Sequence, residues 1–218
     1  MSWNDVNTNK PSEGAKQEKV RYTKLPTGKT QGRILDEEPI SRWKHWIPQA
    51  NSGKGVGVVC IGRDCPVCAE IKADKAAKRT SKYNQSKSHA INFLNRTTGV
   101  IEILDKGKKI FSPLIEYKDS IGDLRTYDIT IIKKGEDFGS IDYTVIPVLP
   151  PIKLTAEELA MEKYDLAQID PKLDAEQIKK LMLGANFEDV IKKAEATHTD
   201  ANSPIGEVSV DFTQSIIG

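Results

Sequence analysis

No apolar run in this chain approaches the roughly 18 to 20 residues that a helix needs to cross a bilayer. The opening MSWNDVNTNKPSEG also lacks the apolar core of a secretory signal. Both absences lead to the expectation of a protein that stays in a cytoplasm and has no membrane partner. Cysteine is scarce, with 3 in 218 residues, all between Cys60 and Cys68. An odd, clustered set is a poor disulfide framework and suits reduced thiols on a metal better.

Net charge is almost absent as well, at +1, but the average hides an asymmetry. Residues 1–154 carry 26 Lys and Arg against 18 Asp and Glu, and residues 155–218 carry 6 against 13. A basic body followed by an acidic region suggests a polyanionic partner for the first.

The signatures of several enzyme classes are missing. The glycines of GKGVG, residues 53–57, suggest a phosphate loop, yet Lys54 is followed by Gly55 and a strand-like VGVVC instead of Ser or Thr opening a helix. They read as a flexible hairpin tip whose Lys54 can touch a phosphate. A zinc deaminase needs H-x-E ahead of P-C-x-x-C. Here Trp46 and Ile47 follow His45, and Pro66 lies inside the cysteine pair. No Ser-His-Asp constellation or pair of metal-binding carboxylates stands out, so no enzymatic activity is expected.

What the chain does have is HWIPQANSGKGVGVVCIGRDCPVC, running from His45 to Cys68. Three thiolates in C-x4-C-x2-C spacing and one imidazole complete a tetrahedral zinc shell with no open position, the composition of a structural site. Gly62 and Pro66 supply turn geometry around Cys65 and Cys68. His45, across the glycine-rich loop, is favoured as the fourth ligand, with His89 as the alternative. Strand periodicity places Trp43 and His45 on one face and Lys44 and Trp46 on the other.

Along the chain, residues 1–19 have no apolar periodicity and read as a flexible arm. VRYTKLPTGKTQGRIL reads as early strand or hairpin, and AEIKADK after the cysteines as helix. HAINFLNR, a Thr97-Thr98-Gly99 turn and VIEIL make a hairpin. GKKIFSPLIEYKDS makes a helix that packs Ile110, Phe111, Leu114 and Ile115 inward. TYDITIIKK and SIDYTVIPVL form a last hairpin. Capping boxes at Thr155/Glu158 and Asp174/Gln177, and a cap at Asn186, begin short acidic helices. The expected architecture is mainly β with α additions. An OB-fold-like antiparallel barrel of five or six strands spans residues 20–154, with a zinc subdomain at about 43–90 and an acidic helical region at 155–218.

Between Ala69 and Arg96 stand 7 Lys or Arg against 2 acids. Aromatic rings interleaved with such charges make a stacking platform and a phosphate track for single-stranded nucleic acid. Phe93 and Phe111, inside apolar runs, read as core. Trp46, Tyr83 and Tyr127 read as candidate stacking rings, with Lys44, Lys54, Lys72, Lys78, Arg79, Lys82, Lys87 and Arg125 as candidate phosphate contacts.

These residues resemble a known family, the phage single-stranded DNA-binding proteins of the gene-32 type. The resemblance rests on HWI, VVCIGRDCPVC, the basic run into HAINFLNR with TTGVIEIL, KIFSPL, and YDITIIKKG with DYTVIPV, over roughly residues 20–155. It implies an OB-fold beside a structural zinc held by His45, Cys60, Cys65 and Cys68. It also implies single-stranded DNA as partner in phage replication, recombination and repair, inside the host cytoplasm. The family's acidic tail recruits replication proteins, although EVSVDFTQSIIG here lacks a dense run of acids. The competing expectation is a zinc-ribbon adaptor whose partner is another protein of a replication or transcription complex.

Overall fold

The computed structural model describes residues 20–49, 55–137 and 139–192. The expected N-terminal arm, Lys54 and the end of the acidic region lie outside the described residues. Among the described residues, seven strands and four helices, besides a helical stretch over 187–192, follow in chain order. They are β1 (Gly28–Ile34), β2 (Ile40–Pro48), β3 (Gly55–Val59), α1 (Pro66–Ala76), β4 (Asn84–Asn95), β5 (Val100–Lys106), α2 (Lys108–Ile121), β6 (Asp128–Lys134), β7 (Asp142–Pro147), α3 (Ala156–Leu159) and α4 (Ala175–Met182). The strands order β3-β2-β4-β1-β6-β7, with β5 on β4, in a mainly β, antiparallel open sheet. The count exceeds the five or six expected, and Gly55–Val59, expected as a strand-like hairpin tip, is a full strand against β2.

The described residues divide into two compact units, one of residues 20–43 and 86–170, the other of residues 44–85 and 171–192. In the first, β4 and β5 form the hairpin expected around Thr97–Gly99, with Asn95 opposite Val100. Gly99 sits at φ +69, a left-handed conformation that side chains with a Cβ resist. β1 pairs antiparallel with both β4 and β6, and β6 pairs with β7. The core gathers Ile34, Ile91, Phe93, Leu104, Ile129, Ile131 and Val145 from the strands, and α2 covers it with Ile110, Phe111 and Leu114.

Ile115 departs from expectation at 58% exposed. At 100° per residue it falls well round the helix from Ile110. Tyr117 comes back onto the apolar face and packs there, its hydroxyl donating to the Val145 carbonyl at 2.9 Å.

A charged network is buried in the same unit. Arg33 and Asp128 stand opposite each other in the β1/β6 ladder, and Arg33 Nε donates to Asp128 Oδ1 at 2.7 Å. Both side chains are almost fully enclosed. The guanidinium also donates to the carbonyls of Arg125 and Ile152, at 3.0 and 2.6 Å. Arg96 adds bonds to both Asp128 oxygens and pairs with Glu158, which also closes the Thr155 capping box of α3. Each nitrogen of both guanidinium groups therefore has an acceptor, the condition under which a buried ion pair holds.

Burial by itself raises the Asp128 carboxyl. The Arg96 hydrogen bonds and the Arg33 and Arg96 charges outweigh it, and its pKa lies below the usual aspartate value. A depressed carboxylate stabilises the fold above its unfolded pKa and loses that contribution as pH falls through the folded one.

Asp128→Asn is expected to cost about 3–5 kcal/mol at pH 7, because it leaves two guanidinium groups facing a neutral amide. In urea unfolding, the gap between variant and parent should close as pH falls below about 4. A gap under about 0.5 kcal/mol at pH 7 would contradict the assignment.

Candidate metal centre and the surface around it

The second unit brings the four expected ligands together. β2 supplies His45, opposite Val58 in the β2/β3 ladder, and Cys60 follows directly on β3. The chain then turns through Gly62, at φ +87, where the Cys65 amide donates to the Gly62 carbonyl at 3.3 Å. Cys65 is the N-cap of α1, Pro66 occupies the first helical turn, and Cys68 lies within it.

Ligand atoms of His45, Cys60, Cys65 and Cys68 all lie within 4.8 Å of one another. Cys60 Sγ is 3.6 Å from Cys68 Sγ, and Cys68 Sγ is 3.3 Å from His45 Nε2. A tetrahedral zinc with ordinary bond lengths has S···S edges of about 3.8 Å and S···N edges of about 3.5 Å. These two edges come within about 0.2 Å of that geometry, and none of the three cysteines is in a disulfide. Burial pushes the Cys68 thiol up to about 12, helped by its hydrogen bond with Cys60 and the Cys65 charge. Burial also lowers His45, which keeps the imidazole neutral and able to donate a lone pair. The arrangement thus suits a divalent cation that would be held by three sulfurs and Nε2 with no position left for water. Such an ion orders the loop it closes. His89, the alternative ligand, is engaged elsewhere, with Nδ1 2.6 Å from the Ser41 hydroxyl and its ring tilted against Phe111.

Around the cluster packs an apolar group that the sequence pattern does not announce. Ile47, Val58, Cys65, Val67 and Tyr83 meet Leu173, Ile178, Leu181 and Val190. α4 packs on α1 and begins at the expected Asp174/Gln177 capping box. Asn186 accepts from the Glu188 amide at the start of a short helical stretch over 187–192. The Asp174/Gln177 capping box signalled helix, but nothing local signalled what the helix covers.

From Lys44 to Pro48 the strand alternates as expected, with His45 fully buried and Trp46 53% exposed on the opposite side. Trp43 does not share the burial of His45. It is exposed and belongs to none of the apolar clusters. Lys44 is half-buried. Lys72, Lys78 and Lys82 are exposed on and after α1, with Lys78 at φ +54 where the helix ends. Arg79 folds back to donate to Asp74 at 2.9 Å, so part of its charge is met locally.

Two of the three candidate stacking rings are corrected. Tyr83 is 7% exposed within the apolar group, with the Lys82 ammonium 5.0 Å from its ring centre. Tyr127 is 1% exposed in the core of the first unit. Burial of their aromatic faces outweighed the basic neighbours that marked them, and a buried face cannot stack on a base. In that first unit Lys87 is exposed on β4, while Arg125 is exposed but bound to both carboxylate oxygens of Asp123.

A single zinc ion per chain is expected by metal analysis. Cys65→Ser and His45→Ala should lose it, and His89→Ala should keep it. Cobalt substitution should give sulfur-to-metal charge-transfer bands. Full metal content in His45→Ala would refute the ligand set.

No helix among the described residues is long and apolar enough to cross a membrane. A scan against protein-family models and a search of curated proteins found no match for this chain.

Proposed function

We propose that this protein is a sequence-tolerant single-stranded DNA-binding protein of the gene-32 type, without enzymatic activity, serving phage DNA replication, recombination and repair. The observation that carries the reading is the pair of adjacent residues on β2. His45 points into the sulfur cluster while Trp46 holds its ring half-exposed on the other side. A structural zinc would then order the strand that offers a ring to an unpaired base. The exposed lysines of α1 and its exit, Lys72, Lys78 and Lys82, belong to the same unit and would meet phosphates.

Support of a different kind comes from the connectivity of the first unit. β5-β4-β1-β6-β7 is a five-stranded order in which α2 lies between β5 and β6, the third and fourth of these five in chain order, and packs on β5 and β7. That order suits a partly open Greek-key barrel of the OB type, a fold that binds oligonucleotides on its sheet. On this reading the acidic residues beyond 154 serve replication proteins as a docking region, and the place of action is the host cytoplasm.

Oligo(dT) should bind in preference to duplex of the same length, with an affinity that falls linearly with salt on logarithmic axes. The slope should shrink by up to about 2 in a Lys72→Ala/Lys78→Ala/Lys82→Ala variant, at about 0.7 for each phosphate no longer neutralised. Equal affinity for duplex, or an unchanged slope in the variant, would count against the reading. If oligo(dT) does not bind at all, the adaptor alternative takes its place.

A further inference from the structure

The glycine pair that fails as a phosphate loop has a specific neighbour. In the β2/β3 ladder Trp46 stands opposite Gly57, and Pro48 opposite Gly55. Gly55 and Gly57 are two residues apart on a strand and so present the same face. The Trp46 indole lies along that face. A Cβ added at Gly55 would come 2.5 and 2.8 Å from Cε2 and Cδ1 of the ring, and closer still to Nε1. A Cβ added at Gly57 would meet Cε3 and Cζ3 at 3.9 and 4.0 Å, an ordinary van der Waals contact. The pyrrole end of the indole therefore rests on bare backbone at Gly55, and the benzo end passes over Gly57 with room for a methyl group. Neither glycine has the positive φ that would demand glycine for backbone reasons. Space alone distinguishes them.

We propose that Gly55 is a positioning residue, the bare strand position that seats Trp46 flat on β3 and leaves the other face of the ring open to a nucleic-acid base. The inference rests on the single-stranded DNA reading and adds to it the device that fixes the stacking ring. An indole on a strand has several staggered rotamers open to it. Laying it across a glycine removes those alternatives before a base arrives, and less side-chain freedom is then lost on binding. A ring resting on a strand glycine also adds stability to the pair. Metal content and far-ultraviolet dichroism must therefore be matched before binding is compared.

The test uses the full, zinc-loaded chain in a Trp3→Phe/Trp43→Phe background, where Trp46 is the remaining tryptophan. Gly55→Ala is compared with Gly57→Ala. The two changes alter the freedom of the unfolded chain alike, and only the first drives a Cβ into the ring, the second making no more than van der Waals contact with it. Acrylamide quenching of Trp46 should rise in Gly55→Ala and stay at the parent value in Gly57→Ala.

Fluorescence anisotropy then compares oligo(dT) with an abasic oligonucleotide of equal length. The parent and Gly57→Ala should prefer oligo(dT) by about 5- to 150-fold for a stacked base. Gly55→Ala should fall to within about twofold, with unchanged abasic affinity and salt slope. A Gly55→Ala protein that keeps the preference, or equal losses in both variants, overturns the proposal. A parent that binds both oligonucleotides equally overturns base stacking at Trp46 while leaving DNA binding in place. A parent that binds neither overturns the DNA-binding reading itself, and quenching still decides whether Gly55 seats the ring.

Discussion

Three sulfurs and an imidazole drawn within 4.8 Å of one another are the constraint on which the second unit depends. Thiols do not gather this closely for packing alone, and without a cation burial keeps Cys68 protonated. A bound divalent ion would reverse that balance and tie β2, the end of β3 and the first turn of α1 into one closed loop. The enclosed apolar group is small, so a metal tie matters here in a way it does not in a larger core. Once His45 is held inward, the alternation of the strand leaves Trp46 facing outward.

The first unit is held by different physics. Its core is a conventional apolar one between strands and α2, and its polar anchor is Asp128, shared between Arg33 and Arg96. These residues join β1, β6, the end of the β4/β5 hairpin and the Thr155 cap into one saturated network. Removing a single member would leave a buried charge unanswered, whereas in the intact network each guanidinium nitrogen has an acceptor.

Much of this was legible in the sequence. Cysteine spacing and a histidine across a glycine loop identified the cluster, because ligand chemistry restricts which residues can serve. Turn chemistry at Thr97–Gly99 and capping residues at Thr155 and Asp174 marked their elements, because these signals are local. The misreadings were of residues whose fate depends on distant parts of the chain. Tyr83 and Tyr127 looked like surface rings beside basic residues, and tertiary packing buried both. The Asp174/Gln177 capping box announced a helix but not its seat. Gly55 read as a flexible tip because a glycine's neighbour across a strand pair depends on register, which the sequence does not display.

The two proposed roles of β2, a metal face and a nucleic-acid face, make one claim: the ion would hold the strand whose Trp46 would stack on a base. The most direct measurement is the affinity of the same protein for oligo(dT) and for an abasic oligonucleotide, zinc-loaded, zinc-stripped and reloaded, at one salt concentration. The account predicts that stripping abolishes the preference for oligo(dT), that weaker salt-sensitive binding to both persists, and that zinc restores the preference. Identical preferences in the loaded and stripped protein would contradict it.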